Sequence, residues 1–443
     1  MRDIVLTLIF LGIVPYALRH TWIGVLLWTW FSLMNPHRMT YGFASGAPFA
    51  LVAALIVLVS TVVDRRNLRL PADATVALLV MFVGWMCLTT FNAIDFERSA
   101  NDLITTLKVQ LMILITIMAL RQRRQIEAFV WVVVCSVGFF GVKGGAFTII
   151  SGGSARVWGP QDSYLYENNA LGLALTMIIP LMNYLRLVSP RPWVRRALMA
   201  AMLLCAASVL GSQSRGALLA IAAMTVVLWT RSQRKVVGGV VLVGLFAGLV
   251  AFMPASWEAR MSTIGTYQED GSAMSRINAW HTAVNIANDR VTGGGYAIKS
   301  PQVFQRYSPK PEWVFTAHSI YFQALGEQGW IGLLLFLGIG ATAFWTSFRI
   351  RRKALERPET LWVYDLAGMV QVSMVGFAVG GSFLSLAYLD LAYNIMLVLI
   401  VCKCWMREER WKSEPIGLFG AGAPVGRLPR QPHPVSIAGG PRA

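Results

Sequence analysis

The sequence predicts an all-α polytopic membrane protein with 12–13 transmembrane helices and one long extracytoplasmic loop that contains short helices. Three observations predict it. The 443 residues are 56% hydrophobic and only 14% charged. Apolar runs of about 17–25 residues recur along the chain, the length that spans a bilayer core as helix. Arg- and Lys-rich stretches fall at every second connection between those runs. Lipid offers no water to satisfy backbone N–H and C=O groups, so the spans must be helices.

The apolar runs cover 4–18, 21–35, 47–63, 74–91, 104–120, 126–150, 168–187, 196–211, 214–230, 235–253, 329–348, 362–383 and 387–404. The first two are short, and whether residues 1–35 cross once or twice is open at this point. The stretches DRRNLR (64–69), RQRRQ (121–125), RLVSPRPWVRR (186–196), RSQRK (231–235), RIRRKALER (349–357) and the start of the tail, KCWMREERWK (403–412), alternate strictly. By the positive-inside rule they are cytoplasmic. The connections 36–46, 92–103, 151–167, 211–215, 254–328 and 384–386 then face outward. This gives N-terminal transmembrane helices (1–150), further transmembrane helices (151–253), the outward loop (254–328), C-terminal transmembrane helices (329–405) and a cytoplasmic, Gly/Pro/Arg-rich tail (406–443) that reads as disordered.

A net charge of +17 on a soluble protein would suggest nucleic acid. Here most of the basic residues lie between apolar runs, so topology accounts for them. The bilayer is the expected partner and nucleic acid is not. The five cysteines, Cys87, Cys135, Cys205, Cys402 and Cys404, all lie in or at the ends of apolar runs. They give neither a disulfide framework nor a zinc spacing.

The long polar loop is where chemistry is expected. In 275–289, apolar residues at 277, 280, 284 and 287 give helical periodicity, with Ser275 as a plausible cap and Gly293-Gly294-Gly295 as the stop. Thr316 suits the cap of a second helix over 317–326, broken by Gly326 and Gly329, with His318 in its first turn. An imidazole at a helix N-terminus is held neutral by the dipole and can act as a base.

Arg215 lies in the short outward connection SQSRG, against the charge bias that orients the chain, with Ser214 beside it. It reads as an anion site at a helix start, or else as an arginine snorkelling to headgroups. Arg276 opens the loop helix with a guanidinium suited to bidentate phosphate binding. Arg156, Arg260 and Arg290 are further outward arginines that suit substrate contacts. The Gly293–Gly295 run allows close backbone approach to a phosphate or is simply a turn. Carboxylates in the loop are scattered, with Glu269-Asp270 the one adjacent pair. No metal and no cofactor are therefore expected.

Three segments, SQSRGALLA (212–220), SRINAWHTAVNIANDRVTGGGYA (275–297) and AHSIYFQALGEQGWIGLLLFL (317–337), together resemble the O-antigen ligase/polymerase superfamily. Its pattern is an SRG at a span start, an R-x-x-x-W helix followed by a glycine turn, and an H-[NS]-x-[YF] late in the loop. The N-terminal portion is similar to a subgroup described as O-glycosylation ligases. The resemblance implies a glycosyltransferase of the inner membrane, working at the periplasmic face on an undecaprenyl-diphosphate-linked glycan donor. It further implies inverting transfer to a lipid A-core acceptor. Arg215 and Arg276 match family arginines that engage the diphosphate, and His318 matches the histidine that activates the acceptor. Ser319 stands where many members have Asn. A polymerase and a protein O-oligosaccharyltransferase bind the same donor. A lipid-glycan transporter would want polar residues at mid-membrane depth, where Lys108, Asn183, Asp365 and Gln371 are isolated.

Overall fold

The structure is a computed structural model and describes residues 1–64, 69–161, 163–231 and 271–414, with positions 239, 243, 244 and 247. All regular elements among the described residues are helical: α1 (Arg2–Arg19), α2 (Thr21–Met34), α3 (Phe49–Val63), α4 (Ala74–Phe91), α5 (Phe96–Ala119), α6 (Arg123–Ile150), α7 (Asn168–Val188), α8 (Pro192–Gly211), α9 (Arg215–Arg231), α10 (Gly271–Asp289), α11 (Pro301–Tyr307), α12 (Ile320–Ala354), α13 (Leu361–Gly380) and α14 (Asp390–Arg407), with short 3-10 turns between some of them. Twelve of the thirteen apolar runs are helices here, and the thirteenth, 235–253, falls almost wholly outside the described residues. Seven segments are long and apolar enough to cross a membrane: α4, α5, α6, α7, α8, α12 and Pro358–Phe383, which contains α13. The protein is a multi-pass membrane protein.

One helix start is set by a cap rather than by hydropathy. α5 begins at Phe96, because the Asp95 carboxylate accepts from Arg98 N at 3.1 Å. The outward connection there is thus much shorter than 92–103. The tail also differs from expectation in its first residues. Trp411 is buried with its ring 6.0 Å from that of Trp405, and Arg410 pairs with Glu408 and Glu414, so the chain to residue 414 is packed. The remainder of the expected disordered tail lies outside the described residues.

The core is built around α7 and α14, which are buried along most of their length. Small residues let neighbouring helices close up, as they do in lipid, where apolar burial gives no drive for helix association. A Cβ on Gly145 of α6 would lie 2.0 Å from Leu204 O of α8, and one on Gly141 would lie 2.4 Å from Cys205 Sγ.

α1 and α2 run antiparallel. Asp3 Oδ1 accepts from Gly42 N (3.0 Å) and Ala44 N (3.1 Å), so α1 starts at the same end as the 36–46 connection. The α1–α2 turn, through His20, lines a cavity at the other end with Arg69, Arg121 and Arg407. That cavity also gathers three of the alternating basic stretches at one end of the bundle.

α12 is broken once. Gly329 has φ +68° and ψ −174°, a conformation open essentially to glycine alone. Gly326, also expected to break the helix, stays within it. The Gly293–Gly295 turn is clasped onto the break: Gly294 N donates to Gly326 O (2.8 Å) and Gly295 N to Glu327 O (3.0 Å). A Cβ at Gly329 would meet Val291 O at 2.2 Å. Gly329→Ala is therefore expected to destabilise the fold by about 1–3 kcal/mol from the backbone conformation alone. A clear drop in thermal midpoint in detergent checks this, and an unchanged midpoint would refute it.

Candidate functional site

α10 is the spine of the candidate site. It buries Ala279, Ala283, Ile286 and Ala287 and turns its amides toward the chain that follows. It begins at Gly271, so Ser275 is a buried interior residue rather than the cap. Asn278 Nδ2 donates to Lys310 O (3.0 Å) and Trp313 O (3.2 Å), while its Oδ1 accepts from Ser308 Oγ and Lys310 N (both 3.0 Å). Asn285 Nδ2 donates to Tyr307 O at 2.8 Å. Trp280 Nε1 donates to Ala317 O at 2.6 Å, and its ring stacks on Phe322 at 4.9 Å with 9° between planes. The peptide that carries His318 is thereby held from α10.

His318 stands just before α12, not in its first turn. Ser319 occupies the N-cap position, helix begins at Ile320, and Thr316 caps nothing. His318 itself has φ +42°, left-handed backbone that a non-glycine residue adopts only where its surroundings impose it. Trp280 on one side and the helix start on the other impose it here. Burial first, then the Arg276 guanidinium and the Lys299 ammonium, lower the His318 pKa from its ordinary value, against a raising pull from Glu167. Each of the two cations and the burial favours the neutral imidazole over the imidazolium.

The connection before α9 is tied down from two sides. Asn168 Nδ2, at the start of α7, donates to Ser212 O at 2.7 Å. Ser214 Oγ caps α9 by accepting from Ala217 N at 3.2 Å. Gln213 takes φ +53°. Its side chain accepts from Arg156 Nε (3.2 Å) and donates to Gly153 O (3.4 Å). Arg156 is exposed and spans the turn, and Arg215 is partly buried at the head of α9.

Packing brings these pieces to one end of the bundle. A Cβ at Gly216 would lie 3.1 Å from Phe383 Cβ, and one at Gly381 would lie 2.7 Å from Ile320 Cδ1. The start of α9, the end of α13 and the peptide after His318 are thus in sequence contact. The α7 start joins them through Asn168 and through Glu167, which lies within the electrostatic reach of His318. Three helix N-termini, each with a partial positive charge, come to this end, which also carries Arg215, Arg276 and Lys299. Such an end attracts anions.

Two readings from the sequence change. The Gly293–Gly295 run is a packing turn, since the N–H groups of Gly294 and Gly295 are taken by α12 carbonyls. Arg290 follows the far end of α10, about 21 Å along the helix axis from Arg276 at 1.5 Å per residue. Its Nε donates to Gly293 O at 3.0 Å and its Nη2 to Asn92 O, which pins the turn to the α4–α5 connection. Arg260 lies outside the described residues.

Sequence reasoning missed Lys299 and Glu167, which are near His318 only in three dimensions. It also missed a buried network at the α12 break. Tyr388 Oη donates to Glu327 Oε2 (2.8 Å), Gln323 Nε2 to Glu327 Oε1 (3.2 Å) and Gln328 Nε2 to Tyr388 Oη (3.2 Å). A single acid in an apolar run was the one available signal.

Residues 1–189 match a family of unknown function (DUF5935), and residues 200–337 match the family described as O-antigen ligase. The second match contains Arg215, Arg276 and His318. No curated protein matches the chain.

Proposed function

We propose, from the match of residues 200–337 to the O-antigen ligase family, that the chain moves a glycan from undecaprenyl diphosphate onto a lipid A-core oligosaccharide at the periplasmic face of the inner membrane. The observation that carries this reading is the gathering of three helix N-termini with Arg215, Arg276 and a neutral His318. An electropositive end holds the diphosphate, and a neutral imidazole beside it accepts a proton.

The reaction follows from those parts. His318 takes the proton of an acceptor sugar hydroxyl. The acceptor oxygen attacks the anomeric carbon from the face opposite the leaving group, so the configuration inverts. The bond from the anomeric carbon to the phosphate oxygen breaks, and its electron pair leaves with the diphosphate. Arg215 and Arg276 neutralise the charge that develops there. Arg156 and Ser214 border the same turn and serve the substrate from it; Arg260 is a further candidate contact. A cleft of 370 Å³ starts at Ile320 and Tyr321, directly after His318, and runs between α12, α13 and α14 past Phe336, Phe344 and Met396. Its apolar walls suit the polyprenyl tail of such a donor.

Purified protein, given lipid-linked glycan with lipid A-core, with an acceptor peptide or with no acceptor, separates the enzyme readings. Ligated lipid A-core is the expected product. Elongated lipid-linked glycan without acceptor would indicate a polymerase instead, and glycopeptide would indicate a protein O-oligosaccharyltransferase. Transfer should persist in excess EDTA, because Arg215 and Arg276 supply the charge a divalent ion would otherwise carry. Loss on chelation with recovery on Mg²⁺ or Mn²⁺ would overturn that point.

The lowered pKa of His318 sets the pH dependence. The base is active when neutral, so kcat/KM should rise as pH climbs through a value below the ordinary histidine pKa and be flat by pH 7. Lys299→Gln removes one of the charges that hold the pKa down, so the rise should move to higher pH. An unmoved or downward-shifted profile would count against His318 as the titrating group.

A further inference from the structure

The end of the bundle opposite His318 holds a second basic site. α14 starts beside the His318 end, at Asp390, and finishes at Arg407, about 27 Å away for 18 residues at 1.5 Å each. There a cavity of 790 Å³ is lined by Arg69 from the α3–α4 connection, Arg121 from the α5–α6 connection, and Arg407 and Arg410 from the end of α14. The acidic side chains in its wall are Asp64 and Glu408, and His20 also faces it.

The four guanidiniums are unequally matched. Glu408 is shared by Arg121 (3.2 Å) and Arg410 (2.8 Å), and Arg410 also reaches Glu414 (3.2 Å). Arg121 Nη2 donates to Arg69 O at 2.6 Å. Arg69 and Arg407 form no ion pair with a carboxylate among the described residues. Trp22, Leu70, Pro71 and Met118 add an apolar wall beneath the charges.

Orientation in the membrane does not require this arrangement. A topology bias is satisfied by basic residues anywhere along short loops. It does not call for guanidiniums from two connections and the end of α14 to meet around one half-open cavity, with two of them lacking a carboxylate partner among the described residues. Guanidinium forks above an apolar wall fit a phosphate whose attached group is partly apolar.

We propose that this cavity binds a phosphate-bearing anion, held by Arg69 and Arg407 and oriented by Arg121 and Arg410. The same chemistry is offered by the headgroup of an anionic phospholipid and by a soluble phosphate ester.

Native mass spectrometry of the full-length protein tests this by titration with phosphatidylglycerol, with phosphatidylcholine and, separately, with inorganic pyrophosphate. The comparison is between Arg69→Gln/Arg407→Gln and a control, Arg352→Gln/Lys353→Gln, which removes two exposed charges of the neighbouring basic stretch. Phosphatidylglycerol should bind wild type at least about tenfold more tightly than phosphatidylcholine, and the cavity variant should lose about tenfold of that, since each basic residue near an anionic surface strengthens binding severalfold. The control should stay within about twofold. The same pattern with pyrophosphate instead of the lipid would keep the site and assign it to a soluble ligand. Equal losses in both variants would mean general surface charge, and no loss in the cavity variant would mean no site. Either result overturns the proposal. If the double variant cannot be purified, Arg407→Gln alone should show about a threefold loss that the control lacks.

Discussion

His318→Ala is expected to lower glycan transfer by about 10²–10⁴-fold, the range for loss of a general acid–base group. Donor affinity should change little, because the diphosphate is assigned to Arg215 and Arg276. The left-handed backbone at position 318 sharpens the test. A simple loss of local structure would disturb the α12 start and with it donor binding. A selective loss of turnover would mark the imidazole itself. Single-turnover rates and donor affinity, measured on the same preparation, separate the cases. A variant that binds donor poorly but transfers what it binds at the normal rate would make His318 a binding residue.

Arg215→Lys is expected to reduce donor use at least about tenfold, which corresponds to about 1.4 kcal/mol. Lysine keeps the charge but loses the planar fork that grips two phosphate oxygens. Arg215 heads α9 beside the Ser214 cap, so its direction is set by the helix rather than by a flexible loop. The loss should appear in kcat/KM for the donor and should not move the pH profile of His318. Wild-type kinetics would make Arg215 a headgroup anchor.

The membrane helices among the described residues were legible because hydropathy and length act locally; the structure departs from that reading at the Asp95 cap, at the α12 start, nine residues before the apolar run, and at the packed residues before 415. The site was legible in its residue types but not in its geometry. Arg215, Arg276 and His318 stood out as polar groups in outward segments. That His318 would sit outside its helix with a positive φ depends on the Trp280–Ala317 hydrogen bond, across 37 positions, which no local pattern encodes. The Gly293–Gly295 run allowed a phosphate or a turn, and only its partners, Gly326 O and Glu327 O, decide between them. The Tyr388–Glu327 pair, 61 positions apart, left no trace in the sequence beyond one acid among apolar residues.

The central claim is that glycan transfer takes place at the His318 end and that this end faces outward. Sided transfer in proteoliposomes of fixed orientation tests it most directly. Orientation is assigned in a cysteine-free background by an impermeant thiol reagent on Lys310→Cys, an exposed position on the loop held by Asn278. The donor is placed in the bilayer and an impermeant acceptor glycan is supplied on one side only. Product is predicted when the acceptor is on the side that labels residue 310, and none when it is on the opposite side. Product formed only from that opposite side, the side of Arg69 and Arg407, would contradict the account.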